Sequence, residues 1–191
     1  IDYTEAVDVM NAVGVFIGDE NGNFNPKENL TRAQAAKIIS YLLLGNKTAE
    51  GLAGSGKFTD VAKTSWAAGF VDYCAAVGVV NGMGNGKFDP NGSLTTLQFA
   101  KMLLVALGYD AKIEGFVGTD WSINVSAKAN QVGLLNGLDV GANATLTREQ
   151  AAKMCLNTLK APLVEYDTKG TTVTVGGDAS VTVGASKAEF K

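Results

Sequence analysis

Histidine is absent from this chain of 191 residues. That removes the commonest general base, the commonest zinc ligand and the Ser-His-Asp triad together. Two cysteines, Cys74 and Cys155, are too few for a disulfide scaffold and are expected as small buried hydrophobes. No charge of one sign dominates. Sixteen basic side chains against 19 acidic ones give a net charge of −3, so no nucleic-acid partner is expected. Long apolar runs are missing too. The longest, Ile38 to Leu44, is broken by Ser40 and Tyr41, and no membrane insertion is expected. No signal peptide opens the chain, which begins in what reads as a helix; a fragment or a processed product is expected. There is no P-loop, no G-x-S-x-G and no metal-ligand cluster. Asp19-Glu20-Asn21-Gly22-Asn23 fails as an EF-hand, because its sixth position is Phe24 and its twelfth is Leu30. Neither a cofactor, a metal nor catalysis is expected.

Proline is scarce at 3 and glycine abundant at 23, a balance that suits helices joined by glycine turns. The chain repeats itself. Gly14-Val15-Phe16-Ile17-Gly18 aligns with Gly78-Val79-Val80-Asn81-Gly82 at an offset of 64. The same offset carries Gly22 onto Gly86, Phe24 onto Phe88, Pro26 onto Pro90 and Thr31 onto Thr95. A third copy runs from Gly133-Leu134-Leu135-Asn136-Gly137 to Thr147-Arg148. It is three residues shorter between its first Gly and its Thr, and lacks the Phe-x-Pro element. Trp66 and Trp121 each lie 12 residues before the first Gly of a copy; the matching place in copy one is Asp2.

Each copy reads as helix, glycine loop, helix. Thr31-x-x-Gln34, Thr95-x-x-Gln98 and Thr147-x-x-Gln150 are capping boxes that start the second helix. The stripe seven, eight, eleven and twelve residues past each Thr predicts one buried face: Ile38, Ile39, Leu42, Leu43; Met102, Leu103, Ala106, Leu107; Met154, Cys155, Thr158, Leu159. Gly45 and Gly108 stand where a helix end wants a left-handed residue. Val7, Met10 and Val13, like Phe70, Cys74 and Val77, space as the buried face of a first helix. Two short helices bury little alone, so three copies about a shared centre are expected: a mainly α unit of pseudo-threefold character. The expected divisions are residues 1–45, 46–109 (the Asn46–Lys57 stretch a loop) and 110–161. Beyond Pro162, Val164-Glu165-Tyr166, Thr171 to Val175 and Ser180 to Val183 alternate between Gly170 and Gly176-Gly177. Residues 162–191 are therefore either a β hairpin capping the unit or the start of a following domain.

The chain has two arginines, Arg32 and Arg148, each one residue past a capping Thr. A cation in the first helical turn opposes the helix dipole, so its recurrence points to recognition rather than a solvated surface charge. A guanidinium fork grips a carboxylate or phosphate through two bonds, and free amides at the helix start would add donors. Copy two has Thr96 instead, which predicts a weak or lost anion site there. For Trp66 and Trp121, a core anchor and a ligand-facing aromatic stand as alternatives. Lys37, Lys101 and Lys153, six residues past each Thr, read as a solvated flank.

Phe58-Thr59-Asp60-Val61, Trp66-Ala67, Gly78-Val79-Val80-Asn81-Gly82, Gly86-Lys87-Phe88-Asp89-Pro90 and Leu30-Thr31-Arg32-Ala33-Gln34 resemble S-layer homology (SLH) domains. The resemblance covers residues 1 to 161 as three copies, the first truncated. It implies a three-pronged helical spindle at the surface of a bacterium. It also implies a non-catalytic role, holding proteins to the wall by binding a secondary cell wall polymer, an anionic glycan often bearing pyruvylated N-acetylmannosamine. Carried onto this chain, the family's groove residues are Arg32, Arg148, Asp60, Trp66 and Trp121. Gln34, Gln98 and Gln150 depart from the family's usual Glu. The alternative is a structural module that assembles with other surface-layer subunits. A glycan-active enzyme survives only if catalysis lies beyond Lys191.

Overall fold

The computed structural model describes residues 1–16, 18–19 and 21–166, and the backbone of three short strands beyond them. Ile17, Glu20, Gly170, Val175 and Gly176-Gly177, which entered the sequence reading, lie outside the described residues. The fold is mainly helical. The helices are α1 (Thr4–Ala12), α2 (Arg32–Leu44), α3 (Asn46–Glu50), α4 (Ala68–Ala76), α5 (Thr96–Ala106), α6 (Trp121–Gln131) and α7 (Arg148–Lys160).

All three capping boxes form. Thr31, Thr95 and Thr147 accept from the amides of Gln34, Gln98 and Gln150, whose side chains accept in return from the Thr amides. Gly45 takes φ 76° and ends α2 as expected. Ala35 and Ala36 in α2, Phe99 and Ala100 in α5, and Ala151 and Ala152 in α7 are buried throughout. Cys74 and Cys155 are buried free thiols, and burial pushes Cys74 up to about 11.

The outer edge of the apolar pattern is where the expectation fails. Val13 and Val77 occupy the C-cap positions of α1 and α4 and face solvent at 53% and 44% exposure. A stripe ends where its helix ends, and both helices stop one residue earlier. Leu43 and Leu159 are likewise exposed, while Ser40 and Asn157 are buried. Ser40 donates to Ala36 O, and Asn157 to Leu134 O and Asn136 O, which satisfies them in the core. The expected loop from Asn46 begins as helix α3. It is pinned by buried Ala49 and by Tyr41 Oη donating to Glu50.

The packing partners cross the copies. α1 lies on α7, α4 on α2, and α6 on α5. Each copy's first helix therefore packs on the second helix of another copy. The segments around the capping Thr residues meet by bridges: Thr31 with Ser93, Thr95 with Thr145, and Thr147 with Asn29. Between them Leu30, Leu94 and Leu146 are buried.

The tail is β-structured where described. β1 (Val164–Glu165) pairs antiparallel with β4 (Glu189–Phe190), and β2 (Thr171–Thr174) with β3 (Ser180–Val183). Val164 N donates to Leu107 O, and Tyr166 Oη donates to Glu114, so the start of the tail is fastened to the body.

Candidate functional site

Each capped helix begins against a loop of another copy. The amides of Arg32 and Ala33 donate to Gly92 O and Pro90 O, at 2.8 and 3.0 Å. Those of Arg148 and Glu149 donate to Glu28 O and Pro26 O, and those of Thr96 and Leu97 to Ala144 O and Ala142 O. The next amide in each helix goes to the capping Thr. The expectation of free amides at these helix starts is thus corrected: the donors that a helix N-terminus usually offers an anion are spent on neighbouring loop carbonyls. Any anion here is held by side chains.

The arginines reach along the same seams. Arg32 Nε donates to Phe88 O at 2.8 Å and its Nη2 to Asn81 O at 3.0 Å. Its guanidinium carbon lies 4.6 Å from the centre of the Phe88 ring. Arg148 Nε donates to Phe24 O at 2.8 Å, and its guanidinium lies 5.1 Å from the Phe24 ring and 5.8 Å from Phe16. Arg148 is only 8% exposed, which excludes the solvated-charge reading. Burial lowers both guanidinium pKa values, opposed by Asp89 and Asp60 near Arg32 and by Glu28 and Asp19 near Arg148.

Two grooves open beside them. The first, of about 430 Å³, is lined by Val15, Phe16, Gly18, Asp19, Asn25, Glu28, Gln34, Lys37, Ile38, Trp66 and Arg148. The second, of about 360 Å³, includes Arg32, Val79, Val80, Gly82, Met83, Gln98, Lys101, Met102, Val117 and Trp121. They have one design. Residues Val15, Phe16, Gly18, Gln34, Lys37 and Ile38 correspond at the repeat offset to Val79, Val80, Gly82, Gln98, Lys101 and Met102. Arginine comes from a second copy, and tryptophan from the segment that opens the next. Both floors need glycine. A Cβ on Gly82 would sit 2.7 Å from the Phe58 ring, and one on Gly18 would sit 2.9 Å from the Gly22 backbone.

The structure therefore brings Arg148 together with Trp66, and Arg32 with Trp121. Trp66 is 59% exposed, which settles its two readings against the core anchor; Trp121 is half-buried. Asp60 lines neither groove. Its two carboxylate oxygens accept from the amides of Phe88 and Asp89, at 2.8 and 2.7 Å. Desolvation opposes this ionisation, yet those amides hold the carboxyl below its usual range. Asp60 thus shapes the loop that Arg32 grips.

Lys37 and Lys101 are what sequence reasoning missed. Their ammonium groups lie 5.8 and 5.9 Å from the Trp66 and Trp121 rings, inside the grooves rather than on a solvated flank. Burial lowers the Lys101 pKa. A signal was present. Gln and Lys three residues apart share a helix face, and the capping box had already placed Gln at the seam.

The S-layer homology domain model matches residues 2–36 and 57–100. A "Cell surface protein" of Thermoanaerobacter kivui is 33% identical over 98% of the chain and 24% of its own length. A "Middle cell wall protein" of Brevibacillus brevis is 29% identical over 90% of the chain and 16% of its own. A "Cellulosome-anchoring protein" of Acetivibrio thermocellus is 35% identical over 54% of the chain and 23% of its own. The chain thus spans less than a quarter of the length of each of these relatives. No helix among the described residues is long and apolar enough to cross a membrane. With two copies matched in sequence, the chain belongs to the S-layer homology domain family and is a module of the bacterial cell surface.

Proposed function

We propose that the chain is a non-catalytic anchor that holds a larger protein to the bacterial wall by gripping an anionic secondary wall polymer in its two grooves. The observation that carries this is the duplicated constellation: Arg148, Gln34, Lys37 and Trp66 in one groove, and Arg32, Gln98, Lys101 and Trp121 in the other. Tryptophan offers a flat apolar face to a sugar ring, and the paired cations suit a pyruvate carboxylate. Asp60 acts as a positioning residue, through the loop that Arg32 holds. The relatives named as wall and cellulosome-anchoring proteins support the same role.

The body is read as pseudo-threefold, which the succession of three equivalent bridges supports. The copies are taken as 1–45, 46–109 and 110–161, with 162–191 as a cap or the start of a following domain. Copy two's helix start, with Thr96 for Arg, contributes no guanidinium, so two grooves carry the binding. Other surface-layer subunits are further partners.

The test is co-sedimentation with cell walls, intact and stripped of secondary polymer. The chain binds intact walls and is released by stripping. Replacing Lys37, Trp66, Lys101 and Trp121 together by Ala lowers affinity at least about tenfold, as expected for lost charge-assisted contacts. Equal binding to stripped walls overturns the polymer reading in favour of assembly between surface subunits.

A further inference from the structure

The grooves share one plan but not one charge. In the Arg148 groove, the cations Arg148 and Lys37 are accompanied by two lining carboxylates, Asp19 and Glu28. At the equivalent positions of copy two stand Met83 and Gly92. Among the described residues that line the Arg32 groove none is acidic, so Arg32 and Lys101 stand without an opposing charge in the lining. Asp60 and Asp89 lie near Arg32 but outside the lining. The apolar share differs in the same sense: Met83 and Val117 face solvent beside Trp121 at 62% and 46% exposure.

Asp19 is fixed in place. Its Oδ1 accepts from the amides of Asn21 and Asn23, and its Oδ2 from Asn25 Nδ2. The Asn23 amide first, then the Asn25 side chain, hold it ionised below the usual carboxylate range. A fixed carboxylate in the lining repels an incoming carboxylate while accepting hydrogen bonds from neutral hydroxyls.

We infer that the two grooves divide the polymer by charge: the Arg32–Lys101–Trp121 groove selects the carboxylate-bearing sugar, and the Arg148–Lys37–Trp66 groove selects an uncharged one. Asp19 and Glu28 are the specificity-determining residues. This rests on both grooves being glycan sites.

The chain supplies its own reporters, since Trp66 and Trp121 are its two tryptophans, one to each groove. The 1–191 chain labelled with 5-fluorotryptophan is followed by ¹⁹F NMR, the two resonances being assigned with Trp66→Phe. It is titrated with the pyruvate ketal of methyl N-acetylmannosaminide and, separately, with the unmodified methyl glycoside. The Trp121 resonance is expected to respond to the ketal at least about tenfold below the concentration that moves Trp66. The neutral glycoside is expected to reverse or abolish that order. Asp19→Asn with Glu28→Gln brings the Trp66 response to the ketal within a few-fold of that of Trp121. Glu28→Gln alone, which leaves the Asp19 turn untouched, goes part of the way. Equal ketal responses in the parent chain, or a gap that the carboxamide variants leave unchanged, overturn the division while leaving the glycan reading intact. If neither sugar moves either resonance, the glycan reading fails and the division falls with it.

Discussion

Two of the three seams between copies carry an arginine and one does not, although their backbones are joined alike. At all three, the first two amides of a capped helix donate to carbonyls of another copy's loop. Arg32 and Arg148 then send Nε to the carbonyls of Phe88 and Phe24. Thr96 reaches only to Ala144 O, at 3.4 Å. Along the sequence, the missing arginine belongs to copy two and the missing Phe-x-Pro element to copy three. In space they face each other across one seam, so the two departures are a single loss. Where the loop offers no Phe ring, a guanidinium has no aromatic face to rest on. The arginine is therefore a seam residue before it is a ligand residue.

The sharpest way to break this comparison is to remove the more buried arginine. Arg148→Ala leaves Phe24 O without its Nε donor and uncovers two rings. Destabilisation of about 2–3 kcal/mol is expected in urea unfolding, because a charged hydrogen bond is lost and its acceptor is left short. A guanidinium that touched only ligand would leave the unfolding midpoint where it was, so an unchanged midpoint refutes the seam role. Arg148→Lys restores at most part of the loss, since a point charge does not reproduce the planar fork.

Arg32→Ala comes next. Arg32 is half-buried and bonds Phe88 O and Asn81 O, so about 1–2 kcal/mol is expected. Lys101→Ala, in the same groove, sharpens the distinction. It is expected to weaken wall-polymer binding about tenfold in a titration, with the melting temperature nearly unchanged, because its ammonium contact there is a single one with the half-buried Trp121 ring, worth little to stability.

A smaller effect concerns acid. Asp60 is held ionised by the amides of Phe88 and Asp89, below its ordinary value of 3.8. A carboxyl whose folded pKa is depressed contributes stability above its unfolded value and loses it as pH falls through the folded one. The melting temperature of the parent chain should therefore fall as pH drops below about 4. Asp60→Asn should make that decline shallower. Parallel slopes for the two chains over that window would show that the amides contribute no such linkage.

What could be read from sequence was local. Capping boxes are four-residue events, and Thr31, Thr95 and Thr147 announce their helices without help from the rest of the chain. Mainly helical content and buried cysteines follow from the same short-range pattern. The partners were not legible, because periodicity says that a face is buried and not against what. Nothing local states that α1 packs on α7, or that Arg148 reaches Phe24. Lys37 and Lys101 look like a solvated flank until the helix start is seen to be a seam. Val13 and Val77 keep the spacing of a buried face one residue too long, since spacing does not mark where a helix ends.

The smallest effect tests the arginine-free seam itself. Thr96 is 1% exposed, and its hydroxyl makes one long bond to Ala144 O, while the amides of Thr96 and Leu97 carry the junction. Thr96→Ala removes that hydroxyl and a methyl group but no backbone bond. Ala also has higher helix propensity, which offsets part of the loss. Destabilisation below about 1 kcal/mol is expected, with polymer binding unaltered. A loss as large as that of Arg148→Ala would mean that the hydroxyl holds the third seam as the guanidinium holds the first two. The three junctions would then differ in residue but not in kind.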